Sequence, residues 1–207
     1  MVPSPALLVG DATGLDFLNT LATPAADAPI DWIADGAGLL AWLEQTRLVP
    51  ADALAKLRKE ARPVAFDKVA DEARRLREWF REFVKTRMGR PLPARDLAAL
   101  EPLNLILARD ERYSRLTADA NGLTLGTTRR WTSPDMLLLP IAEALARLAS
   151  EEDFTFVKAC EGPACSLLFV DHTRGRARRW CSMALCGNRA KQAAHRHRVK
   201  VQRDREG

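Results

Sequence analysis

No cysteine precedes Cys160 and no histidine precedes His172 in this chain of 207 residues. Most of the chain therefore lacks the side chains most often used as nucleophile, metal ligand or proton shuttle near neutral pH. It also lacks a phosphate-cradling glycine loop and a metal-ligand cluster, so Asp11, Asp16 and Asp31 read as solvated or capping carboxylates and no enzyme is expected. No apolar run approaches the roughly 20 residues a membrane helix needs, and the opening MVPSPALLVG has no basic n-region of an export signal. A cytoplasmic protein with no membrane association is expected, in a reducing compartment where paired cysteines are metal ligands more often than disulfides.

What the chain does have is enough apolar material for a core, at 47% hydrophobic and 29% charged residues. Its length suits one large domain or a medium domain with a small appendage. The net charge of +5 is unevenly placed. Between Cys160 and Gly207 there are 11 Lys and Arg against 4 Asp and Glu, which leaves a net −2 on everything upstream. The positive charge belongs to the tail.

Periodicity predicts a mostly helical front part. Leu15, Phe17, Leu18 and Leu21 form a short apolar turn. Leu39, Leu40, Trp42 and Leu43 fall at helical spacing, and a second helix follows Pro50. A longer helix runs from Pro63 to about Met88, with Val69, Ala73, Leu76, Phe80, Phe83 and Val84 on one stripe, arginines and glutamates opposite, and Gly89 and Pro91 ending it. Another spans about Ala94 to Arg109, with Leu97, Leu100, Leu103 and Leu107 inward, Asn104 pointing inward between them, and Pro102 kinking or dividing it. Asn121-Gly122 between β-prone runs signals a hairpin. Helix returns from Ser133 to about Ser150, interrupted or kinked at Pro140. Trp32 and Trp42 read as core. Asp16, Asn19 and Thr20 set polar groups beside the first apolar turn, where they either line a small-molecule pocket or cap a helix and satisfy buried backbone. The joint falls near Glu151 to Phe154, giving parts 1–152 and 153–207, with the small tail docked on the larger part.

The tail concentrates the chemistry. Cys160, Cys165, Cys181 and Cys186 read C-x4-C, fifteen residues, C-x4-C, a spacing that lets two tight turns bring four thiolates to one tetrahedral zinc. Four sulfur ligands leave no open position, so the predicted zinc is structural rather than a generator of hydroxide. A module of about fifty residues needs such a staple, which contributes on the order of 10 kcal/mol of folding free energy. Ser166–Val170 is a strand candidate, residues 171–175 a turn and Arg176–Trp180 the return strand, followed by the second knuckle and a helix: a treble-clef order. His172 falls in the turn; His195 and His197 lie along the final helix.

A zinc with four thiolates carries a formal charge of −2, which Arg178, Arg179 or Arg189 can offset. The surplus is arranged along the helix: Ala190, Ala193, Ala194, His197 and Val201 can face the hairpin, while Gln192, Arg196, Lys200 and Arg203 recur on another face. With Arg174, Arg176, Lys191 and His195 these residues form a candidate nucleic-acid surface that follows phosphates or reads guanine edges.

The string RRWCSMALCGNRAKQAAHRHR, residues 178–198, resembles the CGNR zinc-finger family, named for a motif found here at Cys186, Gly187, Asn188 and Arg189. The upstream CEGPACSLLFVDHTRGRA is similar to that family's first knuckle, with Leu167 where the family pattern carries tryptophan and Asp171-His172-Thr173 in place of Asp-x-Ser. The front part resembles the ABATE domain, best at GLDFLNT, residues 14–20, and more weakly around Trp42 and Asn104. The resemblance implies an α+β chain: a mostly helical N-terminal domain with a β-hairpin, plus a C-terminal treble-clef-like zinc finger. It further implies a stress-response transcription regulator that binds DNA through zinc and senses a small molecule through its front domain. An RNA-binding or protein-docking adaptor using the same finger is the alternative.

Overall fold

Leu15, Phe17 and Leu18 turn inward on one short helix, α1 (Thr13–Leu18), because only that winding buries all three. The computed structural model describes residues 4–24, 28–120, 122–193, 195, 196 and 198. After α1 come β1 (Leu21–Ala22), β2 (Ile30–Asp31), α2 (Gly36–Thr46), α3 (Ala51–Glu60), α4 (Pro63–Arg87), a 3-10 segment (Ala94–Leu100) and α5 (Glu101–Leu107). The hairpin strands β3 (Arg112–Asp119) and β4 (Gly122–Arg129) follow, then a 3-10 turn (Pro134–Leu137), α6 (Leu138–Glu151), and the short strands β5 (Val157–Ala159) and β6 (Leu168–Val170). The chain is mainly helical, and among the described residues its strands form three antiparallel pairs, β1 with β2, β3 with β4 and β5 with β6.

Local chemistry explains the helix ends. The Asp35 carboxylate accepts from Gly38 N at 2.8 Å and starts α2, and Arg47 in the left-handed region at φ 55° ends it. Pro63 opens α4, where its missing N–H costs nothing, and Lys85 and Arg87 meet the negative end of the helix dipole. All six predicted stripe residues of α4 are buried. Helix α1 crosses α6 so closely that a Cβ on Gly14 would lie 2.8 Å from the Ala144 carbonyl oxygen and 2.9 Å from Leu148 Cβ. Trp32 and Trp42 are core, with Trp42 tilted against Phe17 at 5.5 Å between ring centroids.

Several expectations need correction. Arg77 and Arg81 on α4 do not stay on its charged face. Both are buried, Arg77 clasping Asp31 through two bonds of 2.8 Å and Arg81 donating to the carbonyls of Leu18 and Leu21. Pro102 does divide its segment, into a 3-10 stretch and α5, and the tighter winding turns Leu97 out to 61% exposure. Asn104 is exposed, its amide donating to Glu101 at 3.3 Å. Pro140 leaves α6 unbroken, because it lies in the first turn where backbone donors have no intrahelical acceptor. Strands β3 and β4 pair as predicted, while Asn121 lies outside the described residues.

The two parts share one core. Phe154 at the joint is buried against Phe83, and Val157, Leu167, Leu168, Phe169 and Val170 join the same apolar cluster as α1 and α4.

Candidate metal centre

Backbone pairing builds the first knuckle. Strands β5 and β6 form a hairpin in register Val157 with Val170 and Ala159 with Leu168, so Cys160 leaves one strand and Cys165 sits in the connection to the other. Cys160 N donates to Leu167 O at 2.9 Å, and Cys165 N to Gly162 O at 3.0 Å. Ala164 takes a left-handed φ of 57° to close the turn. The hairpin thus holds the first knuckle in its turn, rather than spanning Ser166–Val170 and Arg176–Trp180 as the sequence predicted. Residues 176–180 run as irregular chain instead, carrying charge where a strand would need alternating apolar side chains.

Asp171 organises that irregular return. Fully buried, it accepts from Lys158 Nζ at 2.7 Å, from Thr173 N and Oγ1 at 3.0 and 2.6 Å, and from Arg178 N at 2.9 Å. Burial pushes its carboxyl up, yet the bonds from Lys158, Thr173 and Arg178 prevail and hold it well below the usual carboxylate range. Lys158 Nζ also donates to the carbonyls of Arg176 and Arg178, and Glu161 N bonds Arg179 O at 2.9 Å.

The second knuckle follows at a π-turn, Met183–Gly187, capped by Ser182 Oγ accepting from Leu185 N at 3.0 Å. Residues 188–193 continue as helix. The four thiols meet, with all Sγ atoms within 4.8 Å of one another, and Cys160, Cys181 and Cys186 are buried. Cys181 Sγ lies 3.7 Å from Cys186 Sγ and 4.0 Å from Cys165 Sγ. These are not disulfides, whose sulfurs sit about 2.05 Å apart. They match the edge of about 3.8 Å of a tetrahedron with metal–sulfur bonds of about 2.3 Å. Backbone amides already face one ligand: Cys181 N and Gly162 N donate to Cys160 Sγ at 3.2 and 3.4 Å. Gly162 is required here, since a Cβ would lie 2.7 Å from Cys186 Sγ. Hydrogen bonding to Cys165 together with burial pushes the Cys181 thiol far up, and burial pushes Cys186 up to about 12. Cys181 and Cys186 therefore hold their protons until a cation takes their place, and four converging sulfurs are a donor set that fits a metal ion.

The predicted nucleic-acid residues divide. Arg178 is a strut: its guanidinium donates to the carbonyls of Val9, Trp180 and Cys181, pairs with Asp11, and stacks over Phe169 at 4.2 Å. Arg176 stacks over Phe156 at 4.2 Å and donates to Asp171 O, while Arg179 pairs with Glu161 at 2.6 Å. Arg174, Arg189, Lys191, Gln192, His195 and Arg196 are exposed. Lys200, Arg203, Ala194, His197 and Val201 lie outside the described residues. His172 reaches Glu152 at 2.8 Å.

At the predicted small-molecule pocket, all three polar side chains bond to the protein itself. Asn19 brackets Leu168, its amide donating to the carbonyl oxygen and accepting from N, both at 2.9 Å. Thr20 Oγ1 donates to Phe17 O at 2.7 Å and accepts from Arg77 at 3.0 Å. Asp16 accepts from Gly10 N at 2.8 Å, and burial lifts its carboxyl to about 6 against the hydrogen bonds from Gly10 and Val9. Asp171 as the hub of the return loop and Arg178 as a strut were not legible beforehand, because Lys158 for the one and Val9 and Asp11 for the other come from distant segments.

A helical body fused to a four-thiol pair of knuckles defines a zinc-finger protein with a helical companion. Residues 157–199 match the CGNR zinc finger. Residues 11–152 match the ABATE family, whose description reads "Putative stress-induced transcription regulator", and the chain belongs to that family. No curated protein matches the chain.

Proposed function

We propose that the chain is a zinc-dependent, DNA-binding transcription regulator of the cytoplasm that acts by binding and not by catalysis. In this reading residues 153–207 form the zinc module and residues 1–152 receive a small-molecule signal. The observation that carries it is the four-thiol tetrahedron, from which a helix emerges with Lys191, Gln192, His195, Arg196 and Arg198 all exposed. Cys160, Cys165, Cys181 and Cys186 would hold the ion, which supplies a closed structural anchor and no reactive position. A rigid cationic helix at the end of a stapled module suits the phosphate backbone.

Metal analysis of the purified chain should find one zinc per molecule. Binding to duplex DNA should weaken with salt, and if about six phosphates are neutralised the log–log slope is about −5. Cys181→Ser should release the metal and unfold the tail, whereas Arg196→Ala should weaken DNA binding with zinc retained. A flat salt response would point to protein docking, and tighter binding to RNA of equal length would move the partner to RNA.

A further inference from the structure

The two faces of the hairpin formed by β3 and β4 differ in chemistry. Residues directly opposite one another share a face, so Leu116 and Leu125 lie on one, whereas Tyr113 with Thr128 and Arg115 with Gly126 lie on the other. That second face, the first turns of α3 and the chain just after β4 border a groove of about 310 Å³, at the small end of the range for small-molecule sites. Lys56 of α3 lines it from one side and Arg115 of β3 from the other. Both are exposed, and neither has an ion-pair or hydrogen-bond partner among the described residues.

Most arginines near this groove are already used, and the contrast marks which charges are available. Arg129, also in the lining, is neutralised by Asp110 at 2.6 Å and Glu143 at 3.0 Å. Arg130 has only Glu111, at 3.7 Å and on the exposed surface, where water screens the pair. Its guanidinium lies 4.9 Å from the centroid of the Tyr113 ring, and both residues line the groove, with Tyr113 38% exposed. Asp52 is the one acidic side chain in the lining, and it pairs with none of these cations. Gly126, opposite Arg115, has open space where a Cβ would stand, so no side chain of the paired strand covers that guanidinium. Exposed cations on two walls beside an accessible ring suit a phosphate joined to a flat ring, through charge-assisted bonds to the one and stacking on the other.

We propose that this groove is the effector site of the front part, taking a phosphate-bearing aromatic molecule of mononucleotide size. Lys56 and Arg115 hold the phosphate, and the ring rests on Tyr113 and Arg130. The inference rests on the sensor reading of residues 1–152 but not on DNA binding, so it is tested without DNA. Tyr113 is the chain's only tyrosine, so ring-13C-tyrosine in the zinc-loaded full chain gives signals from that residue alone. Titration with AMP or UMP should shift these signals saturably. Adenosine and inorganic phosphate should each bind weaker by about tenfold or more, since each keeps one half of the recognition. Arg115→Ala should weaken nucleotide binding by about tenfold, and Gly126→Glu, which sets a carboxylate beside Arg115 where space is open, by at least as much. Lys68→Ala, at an exposed lysine of α4, should leave it unchanged. The proposal is overturned if neither nucleotide shifts the Tyr113 signals, if Arg115→Ala leaves binding unchanged, if Lys68→Ala weakens it equally, or if inorganic phosphate binds as tightly as AMP. A nucleotide that binds here yet leaves the affinity for DNA unaltered would sink the sensor reading and leave the site standing.

Discussion

Asp16 is lifted to about 6 by burial, and this has a measurable sign. Below about pH 3 the carboxyl is largely protonated in folded and unfolded chains alike. As pH rises, the unfolded chain ionises first, so this group costs stability increasingly up to about pH 6 and by a constant amount of about 3 kcal/mol beyond it. Asp16→Asn keeps an oxygen for Gly10 N and removes the charge. The variant should be more stable than the parent by about 1–3 kcal/mol at pH 8 and nearly equal to it at about pH 3, as read from urea midpoints. Asp31 behaves in the opposite sense. Burial opposes its ionisation, but the Arg77 guanidinium prevails and holds the carboxyl below its ordinary value, so its contribution is present above about pH 4 and lost as acid protonates it. Asp31→Ala leaves the buried Arg77 guanidinium with only Glu78 and Thr20 as partners and should cost about 2–3 kcal/mol at neutral pH, in the same assay. The sequence marked Asp16, Asn19 and Thr20 as polar groups beside a core turn. It could not assign their partners, since Asn19 meets Leu168 from the far end of the chain.

Helices were readable wherever one face dominates. The stripe of α4 and the apolar spacing of α2 depend on neighbours within a turn or two, and both match the expected residues. Segments whose burial depends on distant partners were not readable, which is why Arg77, Leu97 and Asn104 ended opposite to expectation. The knuckles show both cases. Cysteine spacing located the site, but the pairing of β5 with β6 was hidden because Val157–Ala159 is too short to give a period. Gly162 lets the first knuckle close on Cys186, and Gly162→Ala should speed zinc transfer to a chelating dye on the order of tenfold, with helical content unchanged by circular dichroism. Strands β3 and β4 present Leu116, Leu123 and Leu125 on one exposed face. Replacing Leu116 and Leu125 by threonine should leave the unfolding midpoint within about 0.5 kcal/mol of the parent.

At the scale of the molecule, one apolar cluster spans helices and finger, so heat should unfold both in a single transition. Asn19→Ala strands two backbone groups of Leu168 and should lower the whole transition, by about 2 kcal/mol, rather than splitting off a separate finger step in calorimetry. The tie at Arg178 adds a constraint of another kind. The same guanidinium grips Val9 and Asp11 near the chain's beginning and the carbonyl of Cys181. Grafted onto a foreign protein, the finger would arrive with a raw apolar underside and an arginine shorn of its grip on Val9 and Asp11, so this module is not portable in the way strung-together fingers are.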